Sequence, residues 1–350
     1  MAKASRRYPH FNLGPRLKAS ETGSIGLADF NDDIEYYGSV KIGTPGQIMR
    51  FDFDTGSADI WFPSVYCKAA ACNNHKRFNP AKSRTYRRDG RPWEIGYDDN
   101  SGASGILGSD IVDVGGIKVR QIIGLSTVET ADFKSDPPDG MFGLAFQPEE
   151  SVKGVKTFME NAIAAGVIAK PIFSAFLPSK RRNGGQHGSY LFGAIDRSRY
   201  IGELTYVPVT KKDYWQIHVS NVKVEGKSLN IASEVIIDTG TTIVLVGDTA
   251  AAAIHNNIRG SRYSKKDGGW ILPCSVRNSK GSASFTIGGK DFHVPFADIV
   301  DEPIDQGSDM CSSNIQGGED GVWTLGDVFI KNNYCVFDHS HNPSVGIAPL

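Results

Sequence analysis

The sequence predicts a mostly β protein built as two related lobes facing each other across a cleft. Three observations carry that prediction. Short apolar runs of strand character alternate with glycine-rich turns almost throughout, and glycine supplies 39 of 350 residues, about 11% against a usual ~7%. Helical periodicity is confined to two short stretches. Most informative is an internal repeat. Phe53-Asp54-Thr55-Gly56-Ser57 returns 184 positions later, about half the chain, as Ile237-Asp238-Thr239-Gly240-Thr241.

Along the chain, residues 34–42 and 47–53 read as strands joined by the turn Gly43-Thr44-Pro45-Gly46. Residues 93–97, 106–114, 117–123, 188–192 and 214–224 have the same strand character. Val155, Phe158, Ala162 and Ala165 recur at spacings of three and four, which predicts a helix over 154–165 stopped by Gly166. A second helix is expected over 248–258, capped by Asp248. Gly115-Gly116 and Gly184-Gly185 suit hairpin turns. Each D-T-G is followed by an apolar run, Ile60-Trp61-Phe62 in one half and Ile243-Val244-Leu245 in the other. Each half then holds a hydrophobic step ending in glycine: Met141-Phe142-Gly143, and the less apolar Thr324-Leu325-Gly326. A single D-T-G is a common turn. Two copies with matching flanks and matching partners imply two homologous lobes, over 24–198 and 199–350, with a site between them.

A formal charge of −1 excludes a chain-wide basic nucleic-acid binder. No apolar run approaches the ~18 residues of a membrane helix. The charge is unevenly spread. Residues 1–18 hold Lys3, Arg6, Arg7, Arg16 and Lys18 and no acid, which leaves 33 basic against 39 acidic residues, net −6, on the remainder. Such an arm is either a solvated tail or a partner for the acidic body. The five cysteines are Cys67, Cys72, Cys274, Cys311 and Cys335, with no C-x-x-C and no zinc-ligand spacing. Two disulfides and a leftover thiol, or five reduced core cysteines, both fit that count. The opening MAKASRR lacks the apolar core of a secretion signal, and no N-x-S/T sequon occurs.

The chemistry points to the two aspartates. The glycine after each lets the backbone turn sharply and lets another segment approach closely. The hydroxyls of Thr55 or Ser57, and of Thr239 or Thr241, can bond neighbouring backbone and carboxylate oxygens and fix each side chain. Two such loops meeting across a pseudo-twofold axis set Asp54 against Asp238, and paired carboxyls share a proton over an acidic range. The charged member activates a water while the protonated one polarises a carbonyl. Neither a metal nor a cofactor is expected. No G-x-S-x-G or H-E-x-x-H occurs, and His339-Ser340-His341 reads as a polar turn. The run Lys180-Arg181-Arg182 reads as a solvated loop. A glycosidase also uses two carboxyls but needs no duplicated D-T-G loops.

The stretches DIEYYGSVKIGTPGQ, FDFDTGSADIW, YDDNSGASGIL, GVKTFMENAIAAGVI, YWQI, IIDTGTTIVLV and GDVFIKNNYCVFD span the chain from Asp32 onward. In these stretches the sequence resembles the pepsin-like aspartic proteases, closest to the secreted fungal branch typified by rhizopuspepsin and penicillopepsin. The resemblance implies the bilobal pepsin-like fold and an endopeptidase that cleaves proteins at acidic pH, with Asp54 and Asp238 as the catalytic pair. Ser57 and Thr241 match residues bonded to the outer dyad oxygens. Tyr97 matches the flap tyrosine and Trp61 the tryptophan supporting its hydroxyl. Gly56, Gly240 and Thr242 match substrate contacts, and Asp327 a buried structural carboxylate. Bridges Cys67–Cys72 and Cys274–Cys311 follow by the same resemblance.

Four positions depart from the family pattern. Asp98 and Asn100 replace both flap glycines, which strains the hairpin wherever φ is positive. Ala58 stands where serine is common, and Cys335 where an ordinary strand residue is usual, so a buried free thiol is expected. Asp52 lies two residues before Asp54 on one strand, hence on the same face and beside the dyad. Asp99 matches a flap aspartate associated in fungal members with accepting lysine before the scissile bond. A broad hydrophobic preference with lysine tolerated there is the expectation, with Asp52, Asp98 and Asp99 in the substrate cleft. The resemblance further makes residues 1–20 the remnant of a basic pro-segment. It implies a secreted monomer, or one in an acidic vacuole, that is pepstatin-sensitive and acts on extended peptides. No nucleic acid or membrane is expected as a partner. The rival reading is a catalytically inactive binding or inhibitor protein on the same scaffold.

Overall fold

Strand Gln47–Asp54 carries Phe51 and Phe53 into the core, where both are fully buried, and ends on the first D-T-G aspartate. The computed structural model describes residues 22–30, 33–179, 187–318 and 320–350. The basic arm, the Lys180–Arg182 run and the Gly184-Gly185 pair lie outside these residues.

The repeat seen in the sequence is a repeat of topology. Gln47–Asp54 runs parallel to Gly140–Gly143, pairing Asp54 with Gly143. That strand is antiparallel to Ile60–Pro63, which in turn runs parallel to Ile117–Glu129. In the second half Ser233–Ile237 runs parallel to Trp323–Leu325. Trp323–Leu325 is antiparallel to Val244–Gly247, itself parallel to Ile315–Gly318. Each glycine-ended step is therefore the strand wedged between the two arms of its D-T-G loop. The glycines are needed there. A Cβ on Gly143 would lie 2.3 Å from the Ala58 carbonyl carbon, and one on Gly326 2.1 Å from the Thr241 carbonyl oxygen.

The first of these units belongs to a 13-stranded sheet, and the second to a five-stranded one. One end of the large sheet draws on both halves of the sequence. Ile172–Phe176 pairs with Asn333–Asp338, and Ser189–Phe192 with Gly23–Phe30. Two further four-stranded sheets complete the second lobe, so the protein is mostly β and bilobal. Phe51 packs edge-on to Phe62 and Phe142, with ring centroids 5.6 and 5.7 Å apart. Full burial of each such side chain contributes about 1.5–3 kcal/mol.

Several elements differ from expectation. The first helix spans Phe158–Ala164, starting late because Thr157 and Glu160 form a reciprocal capping box; Gly166, at φ 62°, ends it. The second spans Asp248–His255, with Gly247 at the cap position and Asp248 inside the first turn, so Asp248 does not cap it. The long strand expected over 214–224 is two, Gln216–Val219 and Asn221–Val224, in different sheets; Ser220 N between them donates to the Thr286 carbonyl. The flap strands are longer than periodicity suggested, Arg87–Gly96 and Gly102–Val114. His339 is no polar turn: its ring packs against Phe146, Phe173 and Trp215, with Nε2 buried. Cys67–Cys72 and Cys274–Cys311 are bridged, and Cys335 is a buried free thiol. Among the described residues no helix is long and apolar enough to cross a membrane.

Candidate active site

Each D-T-G loop holds its own aspartate in the same way. Gly56 N donates to Asp54 Oδ1 at 2.7 Å, and Ser57 Oγ donates to Asp54 Oδ2. Gly240 N donates to Asp238 Oδ1 at 2.9 Å, and Thr241 Oγ1 to Asp238 Oδ2 at 2.6 Å. The two threonines of the motifs do something else. Thr55 N donates to Thr239 Oγ1 and Thr239 N to Thr55 Oγ1, at 3.1 and 3.0 Å. Their hydroxyls donate across the junction to the Ile237 and Phe53 carbonyls, at 2.8 and 2.6 Å. The residues alone left open which hydroxyl serves which oxygen, while the resemblance gave Ser57 and Thr241 to the carboxyls. The structure divides them: Ser57 and Thr241 serve the carboxylates, while Thr55 and Thr239 join the loops.

That junction sets the carboxyls face to face. A Cβ on Gly56 would lie 2.7 Å from Asp238 Oδ1, and one on Gly240 2.3 Å from Asp54 Oδ1. Each glycine is thus required by the other loop's carboxylate. Burial, then the neighbouring Asp238 charge, pushes the Asp54 carboxyl up to about 8, against the opposing bonds from Ser57 and Gly56. Asp52 lies beside them as its register implied, 9% exposed, and burial with the Glu35 and Asp54 charges holds it well above the usual carboxylate range. Glu35 is raised to about 7 by burial and by Asp136.

The pair lies in a cleft of about 1170 Å³. Tyr97 stands over it at the start of the hairpin turn, and Trp61 Nε1 donates to its Oη at 2.7 Å. Trp93 Nε1 donates to Asp59, whose other oxygen accepts from Ser151, so the floor beneath Trp61 is itself anchored. In the turn, Tyr97 N donates to the Ser101 carbonyl and Asn100 N to the Tyr97 carbonyl. Of the two replaced glycines only Asn100 takes positive φ, 67°, a region asparagine tolerates. Asp98 and Asp99 line the cleft mouth; Asp99 Oδ1 also accepts from Ser101 N at 2.9 Å. Thr242 lines the cleft while its Oγ1 donates to the Ile34 carbonyl. Asp327 is buried but is no part of the cleft lining; burial and the Asp238 charge raise it, with Lys331 opposing.

This geometry is two carboxyls on a shared pseudo-axis, hydrogen-bonded alike and covered by a tyrosine hairpin. Comparison with known proteins gives the same answer. The family model of eukaryotic aspartyl proteases matches residues 35–350. The chain belongs to that family. It is 38% identical to rhizopuspepsin-1 of Rhizopus niveus over 99% of this chain and 87% of that one. It is 38% identical to syncephapepsin of Syncephalastrum racemosum over 95% and 81%, and 40% identical to dog pepsin A over 91% and 82%. The protein is an aspartic endopeptidase.

Several cleft groups escaped the sequence reading. Glu35 sat unremarked within a strand stretch, its acidity hidden by a β alternation that suits either face. Phe133, His75 and Glu129 also line the cleft, from loops and a strand end where no periodicity marks them.

Proposed function

We propose that the protein is an acid endopeptidase in which Asp54 and Asp238 together activate a water. The observation that carries the reading is the reciprocal Thr55–Thr239 junction, which holds two identically bonded carboxyls against each other. Sharing one proton is the general behaviour of such a pair in aspartic proteases. The ionised carboxylate takes a proton from water as its oxygen bonds to the scissile carbonyl carbon. The protonated partner gives its proton to the carbonyl oxygen, and a tetrahedral diol results. Collapse of the diol breaks the C–N bond; the leaving nitrogen receives a proton from the dyad, which regains one from the diol hydroxyl. No covalent intermediate forms. Gly56, Gly240 and Thr242 present the peptide backbone with partners, and Tyr97, seated by Trp61, closes over it.

The cleft also sets the substrate. Met141, Phe133, Ile95 and Ile243 supply apolar lining beside the carboxyls, which favours large hydrophobic side chains at the bond cut. Asp99, with Asp52 nearer the dyad, is read as the acidic group that accepts a lysine before that bond. Asp99 Oδ1 serves a backbone amide, which leaves Oδ2 for that cation. Cleavage after Lys falls more than cleavage after Phe in Asp99→Ala; equal losses would refute the lysine role. The two lobes are assigned to 24–198 and 199–350. The +5 arm is the remnant of a pro-segment held by the acidic body at neutral pH and released as carboxyls protonate. A chain that stays intact by mass spectrometry yet is fully active in acid would remove that role. Export as a monomer completes the reading.

The deciding experiment is hydrolysis of haemoglobin or casein from pH 2 to 7, with and without pepstatin, beside Asp54→Asn. Activity restricted to acid and lost with either inhibitor or substitution is expected. No activity in folded, acid-treated protein would refute the reading in favour of a binding protein.

A further inference from the structure

Phe133 lies on the short turn Ala131–Ser135 and packs edge-on to Trp61 and Tyr97, at centroid distances of 5.1 and 6.2 Å. It is the apolar wall of the cleft beneath the flap tyrosine. The turn has no buried residue of its own, so its position depends on what fastens it from behind. Thr130 is bonded to Gly102 at the start of the turn, and the rest of the fastening comes from residues just after the Cys67–Cys72 bridge. Asn74 Nδ2 donates to the Lys134 carbonyl at 2.9 Å, and His75 Nε2 lies 3.0 Å from the Asp136 carbonyl oxygen. Lys76 N donates to Asp139 Oδ1 at 2.9 Å, and Asp139 is paired with Arg50.

The middle fastening differs from the others because it can titrate. On the far side of the His75 ring, Nδ1 faces Glu129 Oε2 at 3.8 Å, and both atoms are buried without a hydrogen-bond partner. The other Glu129 oxygen accepts from Ser126 Oγ at 2.5 Å, which fixes the carboxylate in place. A doubly protonated ring donates to the Asp136 carbonyl and sets its positive charge against the Glu129 carboxylate, an ion pair at 3.8 Å. A neutral ring has a single N–H, so it leaves either the Asp136 carbonyl or the Glu129 carboxylate without one. The charges that act on it are Glu129 and Asp139, and Asp136 carries an ionisable carboxyl beside the accepting carbonyl; Asp99 and Asp132 act in turn on Asp136.

We propose that His75 is a positioning residue for substrate recognition: its imidazolium ties the Glu129 carboxylate to the Asp136 carbonyl and so holds Phe133 as the wall that receives a large apolar side chain. The proposal rests on the peptide-cleft reading given above. Glu129 raises the His75 titration above its ordinary value while burial opposes it. The hold is therefore complete below about pH 6.5, the unperturbed value, and is lost as pH rises through the elevated one.

The dyad would obscure this in turnover, so binding is measured in Asp54→Asn. The probe is a hexapeptide with Phe on both sides of its central bond, titrated by calorimetry from pH 5 to 8.5. Affinity is expected to fall by about five- to tenfold through the His75 step. Adding His75→Gln should give the weaker affinity at every pH, without that step. Adding Glu129→Gln should move the step to lower pH, and this variant decides the matter if His75→Gln does not fold. Asn74→Ala should weaken binding equally at every pH and leave the step in place. Peptide bound with the same step in His75→Gln, or with an unmoved step in Glu129→Gln, would overturn the proposal alone. No binding at any pH would overturn the peptide-cleft reading and this proposal with it.

Discussion

Asp54 and Asp238 receive matching bonds from the residues two and three positions on, yet two positions upstream the halves diverge. The first loop has Asp52 there, facing the cleft, and the second has Ile236. Just after the glycine of each wedged strand the order inverts, with Leu144 in the first half and the buried Asp327 in the second. Asp52 and Asp327 are thus additional carboxyls at positions the pseudo-symmetry does not relate. The flap adds to the difference, since Tyr97 and Trp61 cover the Asp54 side and leave Asp54 at 5% exposure. The symmetric part is what the two loops exchange with each other. The asymmetric part is what surrounds the pair and decides where its protons reside.

If the pair acts as one unit, breaking either member has the same consequence. Asp54→Asn and Asp238→Asn should each lower kcat by about 10²–10⁴-fold with an unchanged melting temperature. A variant keeping more than a tenth of the activity would show that the two halves are not catalytically equivalent. The junction should be unequally balanced. Thr55→Val strips a partner from the Thr239 amide and the Ile237 carbonyl, whereas Thr239→Val strips the Thr55 amide but leaves the Phe53 carbonyl its bond from the Tyr190 hydroxyl, at about 1–3 kcal/mol per orphaned group. A larger loss in denaturant midpoint is expected for Thr55→Val, and a larger loss for Thr239→Val would overturn that order.

Much of this symmetry was legible in the sequence, because it is written in residues whose chemistry leaves little choice. Asp-Thr-Gly twice, 184 residues apart, with glycine-ended steps downstream, pointed to two lobes and to Asp54 facing Asp238, though not to the strand pairing around them. Trp61 donates to the Tyr97 hydroxyl, and Ser57 and Thr241 donate to Asp54 and Asp238. What was not legible depends on long-range packing. Glu35 and Asp136 act on one another from segments a hundred residues apart. His339 reads locally as polar, but the aromatic rings that enclose it come from residues 146, 173 and 215. The break at Ser220 answers to Thr286, which no local pattern announces.

The unmatched carboxyls predict how pH acts on each half. Burial raises Asp52 and Asp327, so both are neutral in the folded protein at a pH where the unfolded chain would have them charged. A carboxyl raised in this way contributes its stability in full below its ordinary value near pH 4, and that stability is lost as pH climbs towards the folded one. Asp52→Asn and Asp327→Asn should each extend the folded range towards neutral pH, read as the midpoint of a pH-jump unfolding series. Only Asp52 lines the cleft beside the dyad. A neutral carboxyl there adds no charge to the dyad, so Asp52→Asn should leave the upper limb of the kcat/KM profile unmoved. A clear shift of that limb to lower pH would show instead that Asp52 is ionised beside the dyad.

The smallest effect concerns the flap, the feature belonging to the first half alone. Its turn places Asn100 at φ 67°, whereas Asp98 keeps negative φ, so any backbone strain from losing two glycines is concentrated at one residue. Asparagine visits that region readily; a β-branched side chain does not, at a cost of about 1–2 kcal/mol. Asn100→Gly should alter the melting temperature and kcat/KM only slightly. Asn100→Val should displace the turn that closes from the Tyr97 amide to the Ser101 carbonyl, and with it the tyrosine hydroxyl held by Trp61. Its expected signature is a kcat/KM reduced about five- to thirtyfold, the equivalent of that strain, at nearly unchanged dyad pH limits. If Asp98→Gly raised activity more than Asn100→Gly, the strain would lie at Asp98 and the assignment to Asn100 would fall.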